Sequence, residues 1–314
     1  RNQIAGASGL PYACAPCNLP GPTKMTLKDW LLLITISFMW GGSFFFNAIL
    51  IDVVGPWTLT AGRVTIGALG VWIYILVSGR PVPRDFTLWL FYVLLGSISY
   101  ALPFTAIAWG QLQITSGLAS IINAMNPITI LIVTHFWPGG EKATRLKMIG
   151  VLVGFIGVFI LTLPKLQSGA TGELLAYLSV YSATFCYAVG LNLARKLKDH
   201  SPVITAAGAL SGAALTSLLL AAWVEGTPGA FQQETWLAFL GIGLVSTVLA
   251  FSLMYYLLPR IGAVNFSMVT FMVPITSIFL GISLLGETLE WYQLGGMGVI
   301  FLGLLFIDGR LFNR

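Results

Sequence analysis

The sequence predicts an all-α integral membrane protein: ten transmembrane helices built as two inverted five-helix repeats. Three observations predict it. The chain is 57% hydrophobic and 9% charged, with a mean hydropathy of +0.87, whereas a soluble domain carries roughly 25% charge. Its apolar runs are long enough to cross a bilayer, which takes about 20 residues. The chain also repeats itself. Asn123-Ala124-Met125-Asn126-Pro127-Ile128-Thr129 returns 147 residues later as Thr270-Phe271-Met272-Val273-Pro274-Ile275-Thr276. The same shift carries Ser120 to Ser267, Phe104 to Phe251, Trp89 to Trp236 and Trp40 to Tyr187.

Taken in order, the first span is 30–51, between Asp29 and Asp52, and the second is 57–78, opened by Pro56 and closed by Gly79. No Asp, Glu, Lys or Arg lies between Asp85 and Glu141. At about 1.5 Å per residue that run is too long for one crossing. The polar patch Gly110-Gln111-Leu112-Gln113 splits it into 88–109 and 117–137. The fifth span is 148–164, ended by Pro164; then come 173–194, 203–224, 236–258, 264–285 and 291–308. The first repeat is 25–164 and the second 172–310. Residues 1–24, rich in Gly, Pro and Ala, read as a disordered tail or a cloning remnant. Their Cys14 and Cys17 are too few for a four-ligand zinc site, and three cysteines make no disulfide framework.

Basic residues orient membrane proteins toward the cytoplasm. Placing the N-terminus inside puts Lys28, Arg80, Arg84, Lys142, Arg145, Lys147, Arg195, Lys196, Lys198, Arg260, Arg310 and Arg314 in the cytoplasm and leaves only Lys165 outside. Both termini are then cytoplasmic. The net charge of +5 is therefore a topology signal, not a nucleic-acid one. Five crossings per repeat invert the second copy relative to the first, an architecture of secondary transporters whose site lies at the midplane between the halves.

The chain resembles the EamA-type, ten-helix branch of the drug/metabolite transporter superfamily over essentially all of 25–310. The resemblance rests on Trp40-Gly41-Gly42-Ser43-Phe44, on Arg63 and on the Asn/Pro helix at 117–137. The pairs Gly140-Glu141 and Gly286-Glu287 and the glycine-rich fifth and tenth helices add to it. It implies a bacterial inner-membrane exporter of amino acids, related metabolites or drugs, similar to the YddG-like amino-acid exporters. It fixes transport better than substrate.

Candidate residues follow from their spacing. Ser116, Ser120, Asn123 and Pro127 share one helical face, repeated by Ser267, Thr270 and Pro274. A mid-span proline frees a backbone carbonyl, tolerated where the backbone lines a cavity or packs on protein. The expectation is two kinked helices lining a cavity; packing between helices is the alternative. Trp40, Tyr100, Tyr181 and Tyr187 fall near midspan, where a tyrosine hydroxyl needs a partner that a wet cavity supplies; core packing is their alternative. Trp109, Tyr255 and Tyr256 fall near span ends and read as belt residues. The expected binding wall is Trp40, Tyr100, Asn123, Asn126, Tyr181, Tyr187 and Thr270. Asn, Tyr and freed carbonyls offer dipoles to a zwitterion, and aromatic faces accept an apolar side chain.

Arg63 is the one full charge in a span core, away from the span ends. A structural or gating role is expected, with pairing to a substrate carboxylate as the alternative. Glu141 and Glu287, in loops, are expected to cap or brace the next helix. Gly150, Gly154, Gly157, Gly296 and Gly303 permit close helix approach within the chain; a monomer is expected, and a dimer seam is the alternative. No cofactor is expected: the sequence has no P-loop, no HExxH and no clustered metal ligands. No span core holds Asp or Glu, which argues for facilitation or exchange over proton pumping. A membrane-embedded enzyme on a lipid-linked substrate would need clustered Asp, Glu or His at one interface, which is missing. A passive channel is a third reading.

Overall fold

The structure, a computed structural model, describes residues 25–227 and 229–308. The tail at 1–24 with Cys14 and Cys17, and Arg310 and Arg314, lie outside the described residues. Among the described residues, ten helices are long and apolar enough to cross a membrane: α1 Leu27–Ile51, α2 Pro56–Ser78, α3 Phe86–Gln111, α4 Ser116–Phe136, α5 Arg145–Ser168, α6 Thr171–Leu197, α7 Pro202–Val224, α8 Gln233–Gly262, α9 Met268–Leu285 and α10 Trp291–Asp308. Short loops join them. The loops after odd-numbered helices and those after even-numbered helices are called the odd and even loops below.

Local chemistry sets the helix ends. Thr26 and Asp29 form a capping box at the start of α1. Pro56 opens α2, where its missing amide costs nothing. Asp85, Thr115 and Thr144 cap α3, α4 and α5 by accepting backbone amides. Gly79, Gly169 and Gly286 end α2, α5 and α9 in the left-handed conformation. One expected boundary is corrected: α5 does not stop at Pro164 but runs on to Ser168. The ring deletes one amide donor, and the helix tolerates that loss close to its end.

Burial is the reverse of a soluble protein's. Leu152, Phe159 and Leu219 are more than half exposed, while Ser37, Thr60, Thr184, Ser217 and Ser246 are fully buried. An apolar exterior around small hydroxyl residues suits helices solvated by lipid.

The packing between the two halves has a regular pattern. The main neighbours are α5 with α10, α2 with α7, α1 with α9, α3 with α6, α3 with α7, α4 with α6, α2 with α8, α4 with α9 and α1 with α8. Moving every helix on by five, with α6–α10 returning to α1–α5, maps this set onto itself. The glycine-rich faces of α5 and α10 meet inside the chain: a Cβ on Gly150 would lie 2.6 Å from the Gly303 carbonyl oxygen. The Thr276 hydroxyl donates to the Ser37 carbonyl, 2.8 Å; 147 residues earlier, Thr129 and Thr184 hydroxyls pair at 2.9 Å. Both α3 and α8 contain a π-helical stretch, at Ser97–Ala101 and Gly241–Leu249.

Candidate functional site

A cavity of about 650 Å³ lies between the two halves. Helical strips at three- and four-residue spacing wall it: Trp40, Ser43, Phe44 and Asn47 from α1; Leu95, Ser99, Tyr100, Phe104 and Ile107 from α3; Tyr187, Gly190, Leu191 and Ala194 from α6; Phe251, Met254 and Tyr255 from α8. Its lining reaches the exposed Lys198 and His200 in the loop between α6 and α7. Among the described residues, none of those that line it belongs to an odd loop. The cavity therefore opens at the even-loop end and is closed at the other.

Prolines break the wall where the sequence places them. Helix α4 is interrupted at Ala124-Met125 and restarts at Asn126 with Pro127 in its first turn. Pro127 cannot donate to the Asn123 carbonyl, nor Pro274, inside α9, to the Thr270 carbonyl. Asn123, Asn126, Thr270 and Pro274 all line the cavity. The side-chain Oδ1 atoms of Asn47, Asn123 and Asn126 are shielded and lack a hydrogen-bond partner among the described residues. For Asn47 the orientation is fixed by a relay. Gln111 Nε2 donates to the Phe44 carbonyl at 3.0 Å, so Gln111 Oε1 accepts from Asn47 Nδ2, also at 3.0 Å.

The aromatic rings are continuous. Trp40 meets Phe251 at 5.9 Å between centroids, Phe251 meets Tyr100 at 6.3 Å, Tyr100 meets Phe104 at 5.9 Å, and Phe104 meets Tyr187 at 6.3 Å. Arg63 is buried at 6% exposure on the cavity wall. Its guanidinium carbon stands 3.7 Å from the Phe104 centroid, and its Nε donates to Thr247 Oγ1 at 3.3 Å.

The structure thus brings six of the seven expected wall residues to one cavity and leaves out Tyr181. That ring packs on Phe155 at 6.1 Å. Six residues separate Tyr181 from Tyr187, about 240° around a helix, so the two cannot share a face. Pro127 is not among the lining residues. Tyr255, expected in an interfacial belt, lines the cavity instead, because α8 extends seven residues beyond it to Gly262. Glu141 pairs with Lys147 at 3.0 Å in the first turn of the next helix. Glu287 does not brace the next helix, α10. It crosses to α4, accepting from Ser116 N at 2.7 Å, Ser116 Oγ at 2.9 Å and Gly117 N at 3.2 Å.

Sequence reasoning missed Asn47, Thr247 and Glu225. Asn47 had a signal, since Trp40, Ser43 and Asn47 follow helical spacing. Glu225 had none: it accepts from Trp57 N, Thr58 N and Thr58 Oγ1 at 2.8, 2.8 and 2.7 Å, a cap for α2 from the far half of the chain. Gly55, the residue before α2, has no side chain to do this, and a Cβ there would lie 2.2 Å from the Glu225 carboxyl carbon.

The model of the EamA-like transporter family matches this chain twice, over 28–163 and 174–308. The chain belongs to the EamA-like transporter family. This EamA protein is a multi-pass membrane transporter and not an enzyme. It is 26% identical over 294 residues to a Salmonella typhimurium protein described as a "probable amino-acid metabolite efflux pump", covering 89% of this chain and 94% of that one. It is 22% identical over 296 residues to a chloroplastic WAT1-related protein of Arabidopsis thaliana, covering 90% and 70% respectively. A solved crystal structure shares the EamA fold with a TM-score of 0.62 at 19% identity, over 92% of this chain and all of that one.

Proposed function

We propose that this protein exports amino acids or related small metabolites across a bacterial inner membrane by alternating access, two inverted five-helix halves rocking around one central cavity. The observation that carries the proposal is the cavity itself: walled by both halves, open at one end and closed at the other. The double family match and the pairing of helices that survives a shift of five support the division into repeats at 25–164 and 172–310. The basic residues concentrated in the even loops support a cytoplasmic position for that end, so that the conformation is the inward-open one. Family membership and the efflux pump of Salmonella support export of a small solute, and the cavity's amides, aromatic rings and unbonded carbonyls suit an amino acid.

Among the described residues no carboxylate lines the cavity. Purified protein in liposomes should therefore exchange labelled amino acid for unlabelled without a proton gradient. Exchange that vanishes whenever the gradient is removed overturns facilitation; absence of flux for every amino acid and metabolite tried overturns the export reading.

A further inference from the structure

A charged side chain, Arg63, stands at the bottom of the cavity, and its role below rests on the transport reading above. Arg63 is buried, yet none of the ion pairs among the described residues involves it. Its Nε–H goes to Thr247, whose own hydroxyl hydrogen goes to the Ile242 carbonyl at 2.9 Å, five residues back in the π-helical turn of α8. Thr247 therefore presents only an acceptor and holds the guanidinium in place. One face of the guanidinium is against the Phe104 ring. Stacking occupies the face and leaves the edge free. Four of the five N–H donors of this group have no partner among the described residues.

A buried cation without a counter-ion is costly, and this one borders a solute-sized space. The other charged or titratable side chains that reach the cavity are Lys198 and His200 at its mouth and the tyrosines of its wall; no Asp or Glu lines it. The field inside therefore favours anions at both the entrance and the deep end. A single planar fork fits a carboxylate, which accepts two parallel N–H donors. Beside it, the Phe104–Tyr100–Phe251 rings offer an apolar surface.

We propose that Arg63 is the binding post for the carboxylate of the transported solute, and that the cavity selects organic monoanions or zwitterions with an apolar or aromatic body, the amino group being dispensable. Amines of the same shape that lack the carboxylate are rejected, because they bring a second positive charge beside an unneutralised guanidinium.

The test compares three probes of one shape on the purified protein by calorimetric titration: 3-phenylpropanoate, L-phenylalanine and 2-phenylethylamine. The two carboxylates should bind at least about tenfold more tightly than the amine. Arg63→Gln should lose about 10- to 100-fold in carboxylate affinity and erase the preference. Arg63→Lys should keep the preference, and Thr247→Val should weaken it without removing it. Equal or better binding of the amine overturns the proposal on the wild-type protein alone, whatever the variants do. So does an undiminished preference in folded Arg63→Gln, or failure of all three probes to bind. Liposome exchange with labelled phenylalanine separates the two readings. Exchange without carboxylate preference removes the Arg63 post and keeps transport. Arg63-dependent binding without any flux keeps the post and removes transport.

Discussion

The two ends of the bundle are held by different chemistry. At the odd-loop end, Glu225 and Glu287, both from the second half, each reach across to the first turn of a helix in the first half. Together they accept six hydrogen bonds, four of them from backbone amides. The first amides of a helix have no partner within it, and a carboxylate there also meets the positive end of the helix dipole. At the even-loop end, the one ion pair between the halves among the described residues is Asp29 with Arg260, at 3.6 Å with the arginine half exposed. The closed end is sewn by half-buried caps, and the open end by a single pair whose arginine is half exposed. The difference teaches where the proposed alternation has its cost: opening the odd-loop end would take Glu225 from α2, which has no side-chain cap of its own, and Glu287 from α4, which would keep only Thr115, while closing the even-loop end breaks nothing comparable.

Four predictions test this asymmetry. The largest effect lies between the ends and should leave both untouched. Asn123→Ala and Thr270→Ala should weaken solute affinity by roughly 5- to 150-fold if each loses a polar contact worth about 1–3 kcal/mol. Cysteine accessibility at each end should not change. Normal affinity with lowered thermal stability would make this polar face helix packing.

Next is the pair of caps. Glu225→Gln with Glu287→Gln should cost about 1 kcal/mol at each cap, together a roughly 30-fold shift toward opening the odd-loop end. A cysteine at Ser43, in protein freed of Cys14, Cys17 and Cys186, reports it as faster labelling from that side. Unchanged labelling means the caps do not hold the end shut.

A smaller effect comes from crowding one cap. A Cβ on Gly281 would lie 2.3 Å from Glu287 Oε2 and 2.9 Å from Ser116 Oγ. Gly281→Ala should displace the carboxylate and give about fivefold faster Ser43Cys labelling, the share of a single cap. Gly298→Ala, with nothing within 4 Å of its Cβ, is the matched control. Equal behaviour of the two would detach Glu287 from the closed state.

The smallest effect is expected at the even-loop end. Asp29→Asn should change Ser43Cys labelling and melting temperature little, because an ion pair with a half-exposed arginine contributes little and asparagine can still accept the Thr26 bonds of the capping box. An effect as large as that of the paired Gln substitutions would erase the contrast between the ends.

The sequence by itself determined the ten helices, most of their boundaries, the duplication and the family. Those follow from chain-local physics: apolar length, capping residues such as Thr26 and Asp85, and prolines that free the Asn123 and Thr270 carbonyls. It also narrowed the wall, because three- and four-residue spacing names a face. Only the tertiary structure decided which face meets the cavity. Tyr181 and Tyr187 look alike in the sequence, yet one packs on Phe155 and the other joins the aromatic wall. In water the apolar face of a helix turns inward, so pattern gives direction. In a bilayer the lipid side is as apolar as the packed side, and the pattern loses its sign. The same holds for Glu225, Glu287 and Arg63. Each takes its meaning from a partner in the other half, 168, 171 and 184 residues away, and no local propensity carries information over that distance.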